Sequence, residues 1–146
     1  EAKEIIDNYF ITYPGVKRFM DNAIEKAREL GYAETILGRR RYLPDITSVN
    51  NTVKSAAERN AINAPIQGSS ADMIKIAMVK LNEKLHQSGM KSRMIMQVHD
   101  ELVIDTHIEE VEKVIEIIRE SMENAIQLKV KAKVDINKGN NWLEAH

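Results

Sequence analysis

The sequence predicts an α+β fold in which a small antiparallel sheet packs against several helices. Two apolar runs, residues 94–98 and 102–104, flank a short polar break and predict a tight β-hairpin. Residues 129–136 alternate Lys or Asp with Val, Ala or Ile, which is the period-two pattern of a strand with one buried face. That strand is expected to lie against the hairpin. With 146 residues and neither an internal repeat nor a linker, the chain is predicted to form a single domain, residues 1–146.

The N-terminal part is predicted to be helical. Apolar side chains recur at helical spacing in residues 1–12, and a second helix is predicted to continue to about Leu30, with Gly31 as its stop. Gly38-Arg39 is a turn signal between two strand-like runs, so a short basic hairpin is predicted there.

The longest predicted helical region runs from about Asn51 to Gln87. Pro65 lies inside it, and proline both removes a backbone donor and clashes with the preceding helical turn. A break or kink is therefore predicted at Pro65, with Ala64 outside the α region. A later amphipathic helix is predicted to pack on the sheet through an apolar stripe: Val111, Val114, Ile115, Ile118 and Met122.

Composition and charge exclude several classes of protein. The chain is 43% hydrophobic and 29% charged, the balance of a globular protein, and no apolar run approaches the ~20 residues of a membrane helix. It contains no cysteine and no recognisable signal peptide, so a cytoplasmic location without a membrane partner is expected. The net charge of −1 argues against non-specific coating of nucleic acid, although the basic groups are concentrated in residues 1–99.

We call the hairpin predicted over residues 94–104 the main hairpin. Its polar break places His99, Asp100 and Glu101 at its tip. Carboxylate oxygens are ligands that Mg²⁺ prefers, and Mg²⁺ usually takes one or two of them while phosphates and water fill the other positions. Aspartate is also common at hairpin tips for local hydrogen-bonding reasons alone. The spacing leaves both interpretations open, and metal-assisted phosphate chemistry is the first hypothesis.

The same residues resemble a known family. Gln97-Val98-His99-Asp100-Glu101-Leu102 resembles the third signature motif of the family A DNA polymerases. Residues 38–45 and 57–68 resemble, in order and spacing, the palm segments that precede that motif, and the resemblance extends from Tyr9 to the closing residues. It implies an antiparallel palm sheet with a catalytic β-hairpin packed against several helices. It also implies that residues 1–30 are helices that adjoin the palm on the fingers side.

The resemblance assigns roles to the residues at the tip. In the family, the aspartate of this motif binds the catalytic magnesium ions, so Asp100 is the predicted metal ligand. Glu101 is given a supporting catalytic role near the metals or the primer sugar. His99 is assigned to positioning of the primer, because metal can activate the nucleophile without a histidine base.

Three polar residues of the long helical region complete the predicted site. Arg59, Asn63 and Gln67 are spaced at i, i+4 and i+8, which lines them along one helix face. The resemblance implies that they contact the primer–template duplex near its growing end, where minor-groove acceptors occupy similar positions in every base pair. For the arginines of the basic hairpin, a solvated turn and a phosphate contact both remain open: Arg39, Arg40 and Arg41.

The implied function is DNA synthesis on a DNA template, in replication and repair, with deoxynucleoside triphosphates as substrates and two Mg²⁺ ions as cofactors. The second metal aspartate and the nucleotide-binding helix of the family are not found in this sequence. Since the chain also begins at Glu1, a C-terminal palm portion is expected, inactive without the remainder of the polymerase. Two alternatives are a non-enzymatic module that binds primer–template DNA and, with less support, a metal-dependent nuclease that uses Asp100 and Glu101.

Overall fold

The computed structural model describes residues 2–145, which form the α+β fold that the sequence predicts. The helices and strands follow in this order: α1 (Ala2–Thr12), α2 (Pro14–Leu30), β1 (Tyr32–Glu34), β2 (Arg40–Tyr42), α3 (Asn51–Gln87), β3 (Arg93–Val98), β4 (Glu101–Asp105), α4 (Val111–Glu123) and α5 (Trp142–Ala145). Two compact units are present, one up to Ser69 and one from Ser70. The assignment of the whole chain to one domain stays a prediction. Among these residues, no helix has the length and apolar character needed to cross a membrane.

In the first unit, α2 delivers the chain into a short hairpin. Helix α2 ends at Gly31, whose φ of 76° lies in the left-handed region and whose N–H donates to the Ala27 carbonyl at 2.9 Å. Strands β1 and β2 then pair antiparallel, with Tyr32 opposite Tyr42. The turn at Gly38 has a φ of 81°, which glycine adopts without steric cost. The basic hairpin predicted from the sequence is therefore confirmed.

The core of the first unit is built from small side chains. Helix α3 buries one stripe in it, and the cluster consists of Ala27, Ala33, Leu43, Ile46, Ala57, Ala61 and Ala64. The alanines of α3 pack in this cluster with Ala27 of α2 and Ala33 of β1.

Helix α3 continues through Pro65 without a break, and Ala64 stays helical. The predicted departure of Ala64 from the α region is therefore wrong. A proline inside a helix costs about 3 kcal/mol, but this helix buries side chains on both sides of the proline, Ala61 before it and Ala77 and Leu81 after it. The Ser69 hydroxyl also donates to the Pro65 carbonyl and closes the next turn.

The second unit contains the main hairpin, in which β3 and β4 pair antiparallel from Arg93 opposite Asp105 to Val98 opposite Glu101. The register shifts between Met94 and Met96, so Ile95 forms a β-bulge. One face of the hairpin covers a buried cluster that α3 and α4 supply: Leu81, Leu85, Val114, Ile117 and Ile118. The partly buried residues against this cluster include Met94, Leu102 and Ile104.

Residues 129–136 do not pair as a strand within the described chain, so that prediction is wrong. The alternation of burial holds over part of this segment: Ala132, Val134 and Ile136 are half-buried and alternate with exposed charged residues, whereas Val130 is 80% exposed. However, the backbone of Val134 bonds side chains of helix α4. The Val134 N–H donates to Glu123 Oε1 at 3.3 Å, and the Val134 carbonyl accepts from Arg119 Nη1 at 3.4 Å. The period-two pattern recorded burial and not a hydrogen-bonded neighbour.

Helix α4 carries one buried polar group without a partner. Ser121 is 1% exposed, and its hydroxyl has no hydrogen bond to the described residues. Ser121→Ala is expected to raise the free energy of unfolding by about 1 kcal/mol, because an unsatisfied buried hydroxyl is costly. Urea unfolding measures the change, with Ser55→Ala on the exposed face of α3 as the control for helix propensity. A gain no larger than that of Ser55→Ala would contradict this account.

Candidate metal-binding hairpin and nucleic-acid interface

The tip of the main hairpin is a two-residue loop, His99 and Asp100, between the paired residues Val98 and Glu101. His99 has a φ of 53°, a conformation in which residues other than glycine are uncommon. Tight two-residue hairpin turns require such a positive φ at their first position. The Gln97 carboxamide donates to the His99 carbonyl and holds this conformation from the preceding strand. The loop is thus short and fixed at both ends.

The predicted metal ligand is accessible. Asp100 is exposed and forms no hydrogen bond or ion pair with any residue from 2 to 145. Glu101 is also exposed and begins β4. Its neighbour Leu102 packs on the buried cluster, so Glu101 points to the opposite face of the hairpin. Both carboxylates are therefore exposed to solvent, and Glu101 lies on the face of the hairpin opposite the buried cluster.

The donor set at the tip is small. Within the described part of the chain, no group of three or more His, Cys, Asp and Glu side chains could hold a metal ion. Asp100 offers hard oxygen donors on a fixed turn, which suits Mg²⁺, an ion that usually takes one or two carboxylates. A magnesium ion at this tip would need its other ligands from phosphates, water or residues beyond these.

The three residues predicted to contact DNA lie on one face of α3. Arg59, Asn63 and Gln67 are all exposed, and the continuous helix keeps them in the predicted register. At 3.6 residues per turn this face is rotated away from the buried alanine stripe. The result is a stripe of one guanidinium and two carboxamides, all of them able to donate hydrogen bonds.

The predicted site residues fall into two groups. Arg59, Asn63 and Gln67 belong to the unit that ends at Ser69, whereas His99, Asp100 and Glu101 belong to the unit that begins at Ser70. The structure brings the members of each group together on one helix face or one hairpin tip. Their assigned roles stay predictions.

The basic hairpin lies beside Gln67. A small cavity of about 90 Å³ is lined by Arg39 and Arg41 of the hairpin and by Ala64, Gln67 and Gly68 of α3. Arg40 also lines this cavity, and its guanidinium bonds the Glu34 carboxylate at 3.2 Å and lies 4.5 Å from the centre of the Tyr32 ring. The hydrogen bond to Glu34 raises the pKa of Arg40. All three arginines thus line one cavity, and the guanidinium of Arg40 is in addition held by Glu34 and Tyr32.

A further group of residues, which sequence reasoning missed, fixes the open end of the main hairpin. The half-buried Glu110 carboxylate accepts the N–H groups of Lys91, at 3.0 Å, and Ser92, at 2.9 Å, and the Ser92 hydroxyl at 2.5 Å. The Ser92 oxygen in turn accepts the His107 N–H at 2.9 Å. These bonds, led by the one from the Lys91 backbone, lower the pKa of Glu110 to about 2. We call Glu110 and Ser92 the base clamp, because they hold the base of the main hairpin, the end opposite the tip.

The base clamp is expected to open in acid. The folded-state pKa of Glu110, about 2, lies below the ordinary value of 4.5, so its stabilising contribution is complete above pH 4.5 and is lost as the pH falls through about 2. The amide chemical shifts of Lys91 and Ser92 should follow this titration. Glu110→Gln should abolish it, whereas Glu109→Gln should leave it in place. A titration midpoint near pH 4.5 would show that these hydrogen bonds do not stabilise the Glu110 carboxylate.

The relationship of the chain to known proteins agrees with this geometry. The sequence model of the family described as "DNA polymerase family A" matches residues 1–144. The chain belongs to DNA polymerase family A. The matched residues include the main hairpin and the exposed stripe of α3, so both groups of predicted site residues lie inside the family A region.

Several relatives of this family A chain are similar over almost its full length. DNA polymerase I of Bacillus caldotenax is 50% identical over 145 residues, which are 99% of this chain and 16% of that protein. DNA polymerase I of Pseudomonas aeruginosa is 49% identical over 146 residues, 100% of this chain and 16% of that protein. The family A chain therefore spans about a sixth of the length of these relatives.

A solved structure gives the same result. The POL domain of Pol1 from M. smegmatis, in complex with DNA primer-template and dNTP, superposes with a TM-score of 0.97 at 43% identity. The match covers 99% of this family A chain and 26% of that one. The α+β fold described above is thus that of part of a family A POL domain.

Proposed function

We propose that this chain forms part of the active site of a DNA-directed DNA polymerase, with Asp100 as a ligand of catalytic Mg²⁺. The observation that carries the proposal is the exposed Asp100 carboxylate on a fixed two-residue turn, without a partner among residues 2–145, in a chain that belongs to family A. The solved relative bound to primer-template and dNTP supports DNA and nucleotides as partners. Replication and repair are the processes that such an activity serves.

The residues of this chain have distinct parts in the proposed reaction. Two bound Mg²⁺ ions would activate the primer 3′-hydroxyl and neutralise the charge of the triphosphate. The hydroxyl then attacks the triphosphate in line, and pyrophosphate leaves. Asp100 holds its oxygens toward solvent at the tip, where it can bind metal, and Glu101 lies beside it on the other face. His99 is assigned to positioning of the primer end, and its exposed side chain at the tip supports that assignment.

The exposed stripe of α3 is suited to bind the duplex behind the reacting end. Arg59, Asn63 and Gln67 offer donors that can meet minor-groove acceptors, which lie at similar positions in every base pair. Such contacts report the geometry of a pair and not its identity. We assign this stripe to the primer–template duplex.

The chain by itself is proposed to be inactive, because the reaction needs a second metal aspartate besides Asp100, and the family motif that carries it is not found in this sequence. Within residues 2–145 no cluster of three metal-binding side chains exists. The same observation favours, as a second candidate, a module that binds primer–template DNA without catalysis, and it speaks against a nuclease. A salt-dependent preference of the chain for primed duplex that Arg59→Ala abolishes would support this second candidate.

A chimeric polymerase tests the main proposal. The chimera is a bacterial DNA polymerase I in which this chain replaces the matching segment, as identities near 50% over 145 residues allow. We expect Mg²⁺-dependent, template-directed incorporation by the chimera and none by the chain alone. A folded chimera that binds primer–template but incorporates no nucleotide would refute the proposal, and templated incorporation by the purified chain would refute its inactivity.

A further inference from the structure

The turn of the basic hairpin is attached to the part of α3 that carries Gln67. The Ile36 N–H donates to the Ser69 hydroxyl at 3.0 Å, and this hydroxyl donates to the Pro65 carbonyl. Nη2 of Arg39 donates to the Gly68 carbonyl at 3.0 Å. The hairpin is therefore attached to the two residues that follow Gln67, and Ser69 is itself bonded to Pro65, two residues before Gln67.

Gly68 allows this close approach. A Cβ atom built on Gly68 would lie 2.6 Å from Cγ2 of Thr35, closer than carbon atoms tolerate. Thr35 is itself buried and cannot move aside freely, since its Oγ1 accepts the Arg39 N–H at 3.2 Å. Glycine at this position is thus needed for contact between the hairpin and the helix.

The helix is weakest at this point. Pro65 has no N–H, so the carbonyl of Ala61 lacks its ordinary helical donor. The Gln67 side chain is exposed and has no hydrogen bond to any residue between 2 and 145. Its position therefore depends on the backbone of a turn that proline has weakened, and the hairpin bonds this turn at Gly68 and Ser69.

We propose that Ser69 is a positioning residue for Gln67: its hydroxyl fixes the hairpin against α3 and thereby sets where the Gln67 carboxamide meets the primer–template duplex. This inference rests on the proposed contact between Gln67 and the duplex. Ser69 itself touches no substrate in this arrangement. It acts through the turn of α3 that it holds in place.

The test is single-nucleotide extension by the chimeric polymerase from matched and mismatched primer ends under single-turnover conditions. Gln67→Ala should change the ratio of the two extension rates. Ser69→Ala should change it in the same direction by about threefold to tenfold, the effect of losing one hydrogen bond. Ser69→Thr, which keeps a hydroxyl, should restore the ratio, and the exposed neighbouring Ser70→Ala should leave it unchanged.

Two additional variants separate positioning from a general loss of stability. In the double variant with Gln67→Ala, Ser69→Ala should have no further effect on the ratio, because both act through one side chain. Gly68→Ala keeps every hydrogen-bonding group but forces Thr35 away, and should reproduce the effect of Ser69→Ala. In the chain itself, Ser69→Ala should accelerate amide hydrogen exchange at Ile36.

The outcomes distinguish the two proposals. If Gln67→Ala shifts the ratio while Ser69→Ala and Gly68→Ala do not, the positioning role is refuted and the duplex contact stands. If Gln67→Ala leaves the ratio unchanged, the duplex contact is refuted and the positioning role with it. An additive double variant would also refute the positioning role, since Ser69 would then act independently of Gln67.

Discussion

Asp100→Asn is expected to lower the rate of templated incorporation by the chimeric polymerase about 10³-fold, because a metal contributes several kcal/mol of charge stabilisation in the transition state. The amide keeps the size of the side chain but loses the negative charge that binds Mg²⁺. Since Asp100 makes no hydrogen bond within the described chain, the fold should be unaffected. Primer–template binding should remain within about threefold of the parent.

Asp105→Asn is the matched control for this experiment. Asp105 lies on the same hairpin, is exposed, and stands opposite Arg93 at the end distant from the tip. Asp105→Asn removes one negative charge from the hairpin, as Asp100→Asn does, and should leave the incorporation rate nearly unchanged. Equal losses in the two variants would show that net charge, and not metal binding at the tip, determines the rate.

Leu81→Ala is expected to destabilise the second unit by about 2–5 kcal/mol, the usual cost of emptying a fully buried leucine site. Leu81 is 0% exposed and lies in the cluster on which the main hairpin rests. The loss should therefore loosen β3 and β4 as well as α3. Urea unfolding measures the change in free energy, and hydrogen exchange of the β3 amides reports the hairpin.

Val79→Ala provides the comparison on the same helix, because Val79 is 57% exposed. Surface substitutions of this kind are usually within about 0.5 kcal/mol of neutral. If the two variants lose similar stability, the packing of Leu81 does not support the hairpin as described.

The sequence predicted those elements whose pattern and partner lie close together in the chain. The main hairpin is an example, because only a two-residue loop separates its strands, β3 and β4. The continuity of α3 at Pro65 could not be predicted, because local proline chemistry opposes it and the burial of α3 side chains on both sides of the proline is a tertiary effect. Residues 129–136 show the converse, since alternation reveals a half-buried segment but not what bonds its backbone.

The candidate site divides in the same way. Motif residues at the tip could be named from the sequence, whereas the base clamp could not, because Glu110 bonds backbone groups about 18 positions away. Nothing distinguishes Glu110 from Glu109 or Glu112 in a sequence that predicts only an acidic helix face. An acidic residue shortly after the hairpin was the single available signal. The contact between Gly68 and Thr35 likewise needs the tertiary structure, since an isolated glycine in a helix suggests only a weak point.

The bulge at Ile95 affects the direction of the hairpin tip without changing which residues pair in the ladder. Met94 stands opposite Ile104 and Met96 opposite Val103, so the ladder would keep all its partners if Ile95 were deleted. What would disappear is the local bend and added twist that a bulge imposes. The direction in which Asp100 points is thus encoded partly by a residue count. A homologue could preserve every letter of the tip motif and still aim its carboxylate elsewhere, through the loss of one residue that the motif does not include.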